Sequence, residues 1–395
     1  MSGSTTSGVL KLQDVRDAIL ANEWVNYNPQ NDPGTLWSWG YNAGGKLGLN
    51  IGCFDHRSSP VQVPGTSWVQ ISSAPASLTF AAAPVGARKS DGTLWVWGQN
   101  GFGELGQNDR VARSSPIQIP GTSWTDVSMS GNRMFARKND GTLWGTGYNM
   151  GTGSNVIFSS PVQIPGTSWS QISAGGGHVL ARKSDGTLWT WGENGSGQLG
   201  NNTTTPFMNL SAIQIPGTAW VDACVGNFYS SARKSDGTLW VWGSSILGQL
   251  GDGTTISKSS PVQVPGTSWV DISLGSSHSM ARKSDGTLWG WGLNSCGQLG
   301  DNTTIYRSSP VQVPGTSWVD ASSGTTHTLA RKNDGTLWAW GGSFVPDTGK
   351  GPTPGRGERG DNLPNVNRSS PIQIPGTSWI DICAQTCASF ARKSL

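Results

Sequence analysis

The chain has 395 residues, 27 Lys and Arg against 24 Asp and Glu, a formal net charge of +3, and an unusual load of Gly (56) and Trp (21). So small a cationic excess excludes a dedicated nucleic-acid binder, whose affinity rests on clustered Lys and Arg releasing counterions. The glycine and tryptophan content, with only 13% charged residues, excludes a disordered chain and suits a packed all-β protein with many tight turns.

Residues 1–30 form an arm ahead of everything periodic. No basic stretch there leads into a long apolar run, so the expectation is neither a secretory signal nor a membrane anchor, and no membrane insertion. Val9, Leu12, Val15, Ile19 and Leu20 fall near helical spacing, with Lys11, Asp14, Arg16 and Asp17 mostly elsewhere, which predicts an amphipathic helix. Together with Trp24 these five are candidates for docking a partner, the alternative being a lid on the rest of the chain. The arm is similar to N-terminal attachment arms of phage structural proteins.

From residue 31 onward the text repeats. D-G-T-L-W ends at Trp95, Trp144, Trp189, Trp240, Trp289 and Trp338, with a P-G-T-L-W variant ending at Trp37. P-G-T-S-W ends at Trp68, Trp124, Trp169, Trp269, Trp318 and Trp379, with Ala219 replacing Ser before Trp220. A-R-K begins at Ala87, Ala136, Ala181, Ala232, Ala281, Ala330 and Ala391, so three markers each occur seven times. A spacing near fifty residues with four strand-like pieces per unit predicts propeller blades. In the unit Pro261 to Gly300 the pieces are Pro261 to Val264, Trp269 to Ser273, His278 to Lys283 and Thr287 to Gly292. Asp285-Gly286 reads as a type I′ hairpin turn and Pro265-Gly266 as a second turn. Alternation puts Trp289 and Trp291 on one face of their strand and Leu288 with Gly290 on the other, so that large residues of one blade pack on small ones of the next.

The last unit stops at Leu395 just after A-R-K, while Asn31 to Gly40 supplies a D-G-T-L-W-type strand with no A-R-K before it. One blade is therefore shared between the two ends, closing the ring without a bare edge. The expected fold is all-β: a seven-bladed β-propeller of four-stranded blades over 31–395, closed by that shared blade and preceded by the short helical arm.

The run W-x-W-G-x-N-x-x-G-Q-L-G, intact from Trp189 to Gly200 and from Trp289 to Gly300, resembles the regulator-of-chromosome-condensation repeat. The G-x-x-H-[ST]-x-A element of that family matches Gly275 to Ala281 and Gly324 to Ala330, and Gly175 to Ala181 except for Val179; elsewhere Pro84, Arg133, Tyr229 and Ala388 replace the His. The resemblance implies the propeller fold. It also implies one of several jobs, since the family includes a nucleotide exchange factor for a small GTPase, a plant ultraviolet-B receptor, a secreted β-lactamase inhibitor and phage proteins. The photoreceptor's G-W-R-H-T element does not occur here.

No catalytic constellation emerges. Gly195 to Gly200 and Gly101 to Gly106 satisfy G-x-G-x-x-G, but loop text follows them where a phosphate-binding motif needs a helix. His178, His278 and His327 occupy equivalent places and are expected to hydrogen-bond within their own blades. The five cysteines, Cys53, Cys224, Cys296, Cys383 and Cys387, are odd in number and scattered, so no disulfide framework is expected; Cys383 and Cys387 lack a second Cys/His pair for a metal. The A-R-K strings should place basic residues on a solvated rim. The break at Ser343 to Asn367 offers Lys350, Arg356, Glu358 and Arg359 as loop-binding candidates; a shorter break, Ala74 to Val85, is either a packing variant or a contact patch.

No enzyme, cofactor or metal is expected. The leading expectation is a structural or binding propeller, a bacteriophage virion component (tail fibre, tail-associated or capsid decoration protein) made in the host cytoplasm and bound to virion proteins through its arm, with host-surface or glycan contact through the propeller. The alternatives are a cytoplasmic regulatory propeller of the exchange-factor type, or a carbohydrate-binding lectin.

Overall fold

The computed structural model describes residues 33–53, 55–73, 83–342, 357–363, 366–385 and 387–395, so the arm and its docking candidates Val9, Leu12, Val15, Ile19, Leu20 and Trp24 lie outside the described residues. Among the described residues, twenty-eight strands form seven four-stranded antiparallel blades. In the fifth blade the strands run Trp269–Leu274, His278–Lys283, Leu288–Gly292 and Arg307–Gln312 from the axis outward. The blade is therefore offset by one strand from the unit read in the sequence. The strand containing Pro261 is the outer strand of the fourth blade, paired with Leu239–Gly243. The Pro-Gly turn that follows carries the chain from one blade's rim to the next blade's inner strand, with φ of +94° at Gly266 and +66° at Ser268.

The Asp-Gly turn also differs from expectation. Gly286 has φ of +78°, but Asp285 is not left-handed, and Gly286 N–H donates to the Lys283 carbonyl at 3.1 Å or less in every copy. This is a type I turn closed by a left-handed Gly, the three-residue hairpin loop. Asp is used for its side chain: Asp285 Oδ1 accepts from Thr287 N and Oγ1 at 3.0 and 2.7 Å, and Thr287 Oγ1 accepts from Trp289 Nε1 at 2.9 Å. The same chain recurs at Asp91, Asp140, Asp185, Asp236 and Asp334.

Closure is by two strands from each end. Trp379–Gln385 and Ala388–Ser394 pair with each other, and Gly34–Gly40 pairs with Ala388–Ser394 in unbroken register from Gly34 with Ser394 to Gly40 with Ala388. Arg57–Gln62 completes the seventh blade. Inner strands of successive blades are stitched around the axis: Ser72, Ser128, Ser173, Ser273 and Ser322 hydroxyls accept the backbone N–H of Met129, Ala174, Val225, Ser323 and Ala384 at 2.8–3.1 Å.

The junctions between blades are apolar, and at six of the seven a loop carbonyl accepts from the next blade's side chains, at four of them from two donors. Trp291 of the fifth blade packs among Leu239, Val241 and Leu250 of the fourth. Its Nε1 donates to the Gln249 carbonyl at 2.9 Å, and Ser279 Oγ donates to that same carbonyl at 2.9 Å. Gln198, Gln298 and Glu358 carbonyls accept likewise from Trp242 with Ser230, Trp340 with Thr328, and Trp39 with Ser389. Lys46 O takes Trp97 Nε1, and Glu104 O takes Thr146 Oγ1, which stands where the second blade lacks its second Trp. The glycine two residues on has to be glycine. Gly251 has φ of +71°, and a Cβ there would lie 2.6 Å from the Trp291 indole nitrogen.

The junction of the second and third blades departs from this plan. The loop at Asn149-Met150-Gly151 is shortened, Val179 replaces the hydroxyl residue, and Trp191 Nε1 is buried without a partner. Trp191 and Trp291 are both 0% exposed, so comparing their Phe substitutions separates hydrogen bond from packing. Trp291→Phe is expected to cost about 1 kcal/mol more than Trp191→Phe in urea denaturation; equal costs would show that the carbonyl clamp contributes nothing.

Candidate functional site at the axial channel

The A-R-K strand distributes its three residues to three environments. Ala281 is in the junction core. Lys283 Nζ lies 4.8 Å from the Trp269 ring and 4.6 Å from Trp289, a cation–π roof repeated in every blade. Arg282 pairs in register with Asp271 of the inner strand. The basic residues therefore form no free rim: Lys covers tryptophan and Arg faces the axis.

Seven register pairs make the ring: Arg88 with Gln70, Arg137 with Asp126, Arg182 with Gln171, Arg233 with Asp222, Arg282 with Asp271, Arg331 with Asp320 and Arg392 with Asp381. Arg331–Asp320 and Arg392–Asp381 are ion pairs at 2.8 and 2.9 Å, and each Arg also donates to the backbone carbonyl of the next blade's inner Trp. A cavity of about 560 Å³ opens here. Inner-strand residues of five blades line it, including Gln70, Asp126, Gln171, Val221 and Asp381, which places it on the ring axis. Burial raises the carboxyls of Asp126, Asp320 and Asp381 above the usual range. Asp271 is pushed up to about 7, first by burial and then by the Asp222 and Asp320 carboxylates beside it.

At the other end of the blades, His178, His278 and His327 are buried and reach forward, contrary to expectation, into the following blade. Their Nε2 atoms meet Ser230, Thr328 and Ser389 hydroxyls at 2.7, 3.0 and 2.9 Å. Those hydroxyls already donate to loop carbonyls, so Nε2 carries the proton. Burial holds all three imidazoles down at about 3, which keeps them neutral and structural. Tyr229, in the His position of the fourth blade, donates to the His278 carbonyl at 2.7 Å, and Arg133 donates to the Asn149 carbonyl at 3.3 Å.

The loop-binding candidates divide. Lys350 and Arg356 lie outside the described residues. Glu358 and Arg359 are 2% and 0% exposed and belong to the ring, which corrects their reading as surface contacts. Gly357-Glu358-Arg359-Gly360-Asp361-Asn362 is the sixth blade's copy of Gly297-Gln298-Leu299-Gly300-Asp301-Asn302, and the alignment was visible in the sequence. Arg359 stands at the Leu position and donates to the Leu363 carbonyl at 2.7 Å, with Asp361 pairing its guanidinium at 3.0 Å. The glycine runs at 101–106 and 195–200 are likewise junction loops, and no helix follows them. Cys224 and Cys383 occupy the inner-strand Ser position, their thiols pushed up by burial to about 12 and about 11. Among the described residues no group of three or more His, Cys, Asp and Glu converges as metal ligands would. Sequence reading missed the axial ring, although W-x-[DQ] precedes A-R-K in every copy.

The Regulator of chromosome condensation (RCC1) repeat matches residues 33–81, 91–136, 185–232, 236–282 and 285–331, more than half of the chain, and a second form of that repeat matches 169–198 and 269–298. The mitochondrial RCC1 domain-containing protein RUG3 of Arabidopsis thaliana is 28% identical over 128 residues, 31% of this chain and 28% of that protein's length. Three solved propellers share the fold at 18–19% identity. They are yeast RCC1 (Prp20) as solved with Kap60 bound, with a TM-score of 0.78 over 100% of this chain and 95% of the other; Prp20p of Saccharomyces cerevisiae, studied for its binding to Gsp1p and histones, at 0.77 over 99% and 97%; and human WBSCR16, at 0.75 over 91% and 99%.

Two pH dependences follow with opposite signs. A His held at about 3 in the fold and near 6.5 unfolded contributes stability present above about 6.5 and lost as pH falls toward 3. His278→Gln should flatten the acid limb by about one proton in urea titrations from pH 7 to pH 4; an unchanged slope would place the imidazole in contact with water. Asp271 binds its proton more tightly folded than unfolded, so stability falls as pH rises from about 4 through about 7. Asp271→Asn should gain in Tm relative to the parent at pH 8 and not at pH 4.

Proposed function

Because the chain belongs to the Regulator of chromosome condensation (RCC1) repeat family, we propose that it is a non-enzymatic, regulatory protein-binding propeller whose axial mouth faces the partner. The observation that carries this reading is the division of labour in the repeat. Every histidine of the G-x-x-H element is spent on a blade junction, whereas Arg, Asp and Gln of the inner ring face the axial cavity. A rigid concave mouth lined by several blades presents a preformed surface to a protein, and binding to it requires no rearrangement.

The family match favours this reading over the virion component, which rested on the repeated ring, the arm at 1–30 outside it, and the expected lack of a secretion signal and of a catalytic constellation. A lectin is disfavoured on geometry. Sugar stacking needs an open tryptophan face, and each inner tryptophan here is buried beneath a lysine ammonium. The Kap60, Gsp1p and histone associations of the yeast propeller make the partner class plausible for a relative, and a protein partner is what is proposed for this chain.

The test is affinity capture from the native source with the full chain and with an Arg88→Glu/Arg182→Glu variant at the mouth, followed by reciprocal binding of the purified captured protein. A stoichiometric protein partner bound by the parent at least tenfold more tightly than by the variant is expected. Equal binding by both would move the contact away from the channel, and turnover of a captured small molecule would overturn the non-enzymatic reading.

A further inference from the structure

The axial ring is not sevenfold. Five blades place Asp opposite the A-R-K arginine, and two place Gln there, at Gln70 and Gln171. Folding does not require Gln, since the other five blades close with Asp. The two exceptions lie in the first and third blades, flanking the second, and both line the one axial cavity together with their own arginines, Arg88 and Arg182.

The charge left over is local. Of the two carboxylates on the cavity wall, Asp381 is paired to Arg392 at 2.9 Å, and Asp126 accepts from Gln70 Nε2 at 2.7 Å and stands in register with Arg137. Gln171 Nε2 donates to Asp222 of the next blade at 2.7 Å, and Asp222 is in register with Arg233. Arg88 and Arg182 face Gln within their own strand pair, and the carboxylates that act on them, Asp126 and Asp222, belong to the next blade and each already accepts from that Gln. Arg88 Nε reaches the Gln70 amide oxygen at 3.5 Å, and Arg182 Nε and Gln171 Oε1 are both buried without a hydrogen-bond partner, as is Nε of Arg137, Arg233 and Arg282. Two guanidinium groups thus share one polar cavity of about 560 Å³ with no carboxylate opposite either of them in its own strand pair.

We infer that this half of the mouth is a carboxylate-binding site, in which Arg88 and Arg182 receive the kind of anionic group that Asp320 and Asp381 supply to Arg331 and Arg392. A planar carboxylate matches the guanidinium fork with two parallel hydrogen bonds. The ring as a whole carries seven Arg against five Asp, an excess suited to one or two carboxylates and too small for a polyanion such as nucleic acid. The ligand chemistry is therefore an acidic side-chain cluster of a protein segment, or a free polycarboxylate of the same charge. The inference rests on the protein-binding reading only for the first of these sources.

The experiment is calorimetric titration of the purified full chain with two probes, a glutamate-rich heptapeptide and citrate, repeated on three variants. Gln70→Asp/Gln171→Asp installs the arrangement the other five blades already use, so its Tm should match or exceed that of the parent while peptide affinity falls at least tenfold. Arg88→Gln/Arg182→Gln should lose binding altogether, and Asp285→Asn, in a turn away from the mouth, should bind as the parent does. Peptide binding with this variant pattern supports the site and the protein source; citrate binding alone, with the same pattern, supports the site and assigns it to a free polycarboxylate. No binding of either probe by the parent, or undiminished binding by the Gln→Asp variant, overturns the inference. Neither of those results touches the protein-binding reading if a captured partner still depends on the mouth.

Discussion

The ring depends on one backbone carbonyl at each of six of its seven junctions. The residue between Gly and Leu in the G-x-L-G loop presents its carbonyl into an otherwise apolar interface, where an unpaired acceptor would be costly. The next blade answers with an indole N–H and a hydroxyl at four junctions and with one of the two at two others, and a histidine behind the hydroxyl holds it in place at three. The bond is directional inside a contact that is otherwise only greasy, so it sets the angle at which one blade meets the next. Seven blades close without strain only if that angle repeats. This explains why the identity of the x residue varies freely among Lys, Glu and Gln while the flanking glycines do not.

Much of this was legible in the residues. The count of blades, the shared closing blade and the burial of the W-x-W strand followed from three strings that recur seven times, because a repeat of that length with four strands has few ways to bury both faces. What could not be read was anything that crosses from one repeat to the next. His278 meets Thr328, fifty residues on, and nothing in the local text of either says so. The blade boundary was misplaced by one strand for the same reason: a sequence repeat has no natural start, and only hydrogen bonding decides that the Pro261 strand belongs to the blade before it. The Asp-Gly turn was misassigned because Asp was credited with a backbone role when its carboxylate does the work through Thr287.

The charged residues show the same limit at larger scale. Arg and Lys adjacent in a strand point to opposite faces, which was anticipated, but where those faces lead depends on the ring. One is the cleft between tryptophans; the other is the axis, where residues more than a hundred positions apart become neighbours. Glu358 and Arg359 illustrate the converse error. Charge inside a long irregular segment suggested solvent and partners, whereas the chain had already returned to the repeat, and Arg359 uses its guanidinium to satisfy the carbonyl that an Asn side chain serves in the fifth blade.

The two-plus-two closure also has a kinetic side. Six blades are built from contacts between strands adjacent in sequence, which form quickly because little chain entropy is lost in bringing them together. The seventh requires Gly34 to find Ser394 across almost the whole chain, so the ring can close only after the other blades have stacked into an arc of the right curvature. Until then the arc has a bare strand at each end and near-identical copies of its own repeat within reach. Such an intermediate is at risk of pairing with a second nascent chain in register. The small differences among blades, in the shortened 149–151 loop, the Thr146 junction and the Gln70 and Gln171 ring positions, make the correct partner distinguishable from its neighbours during assembly.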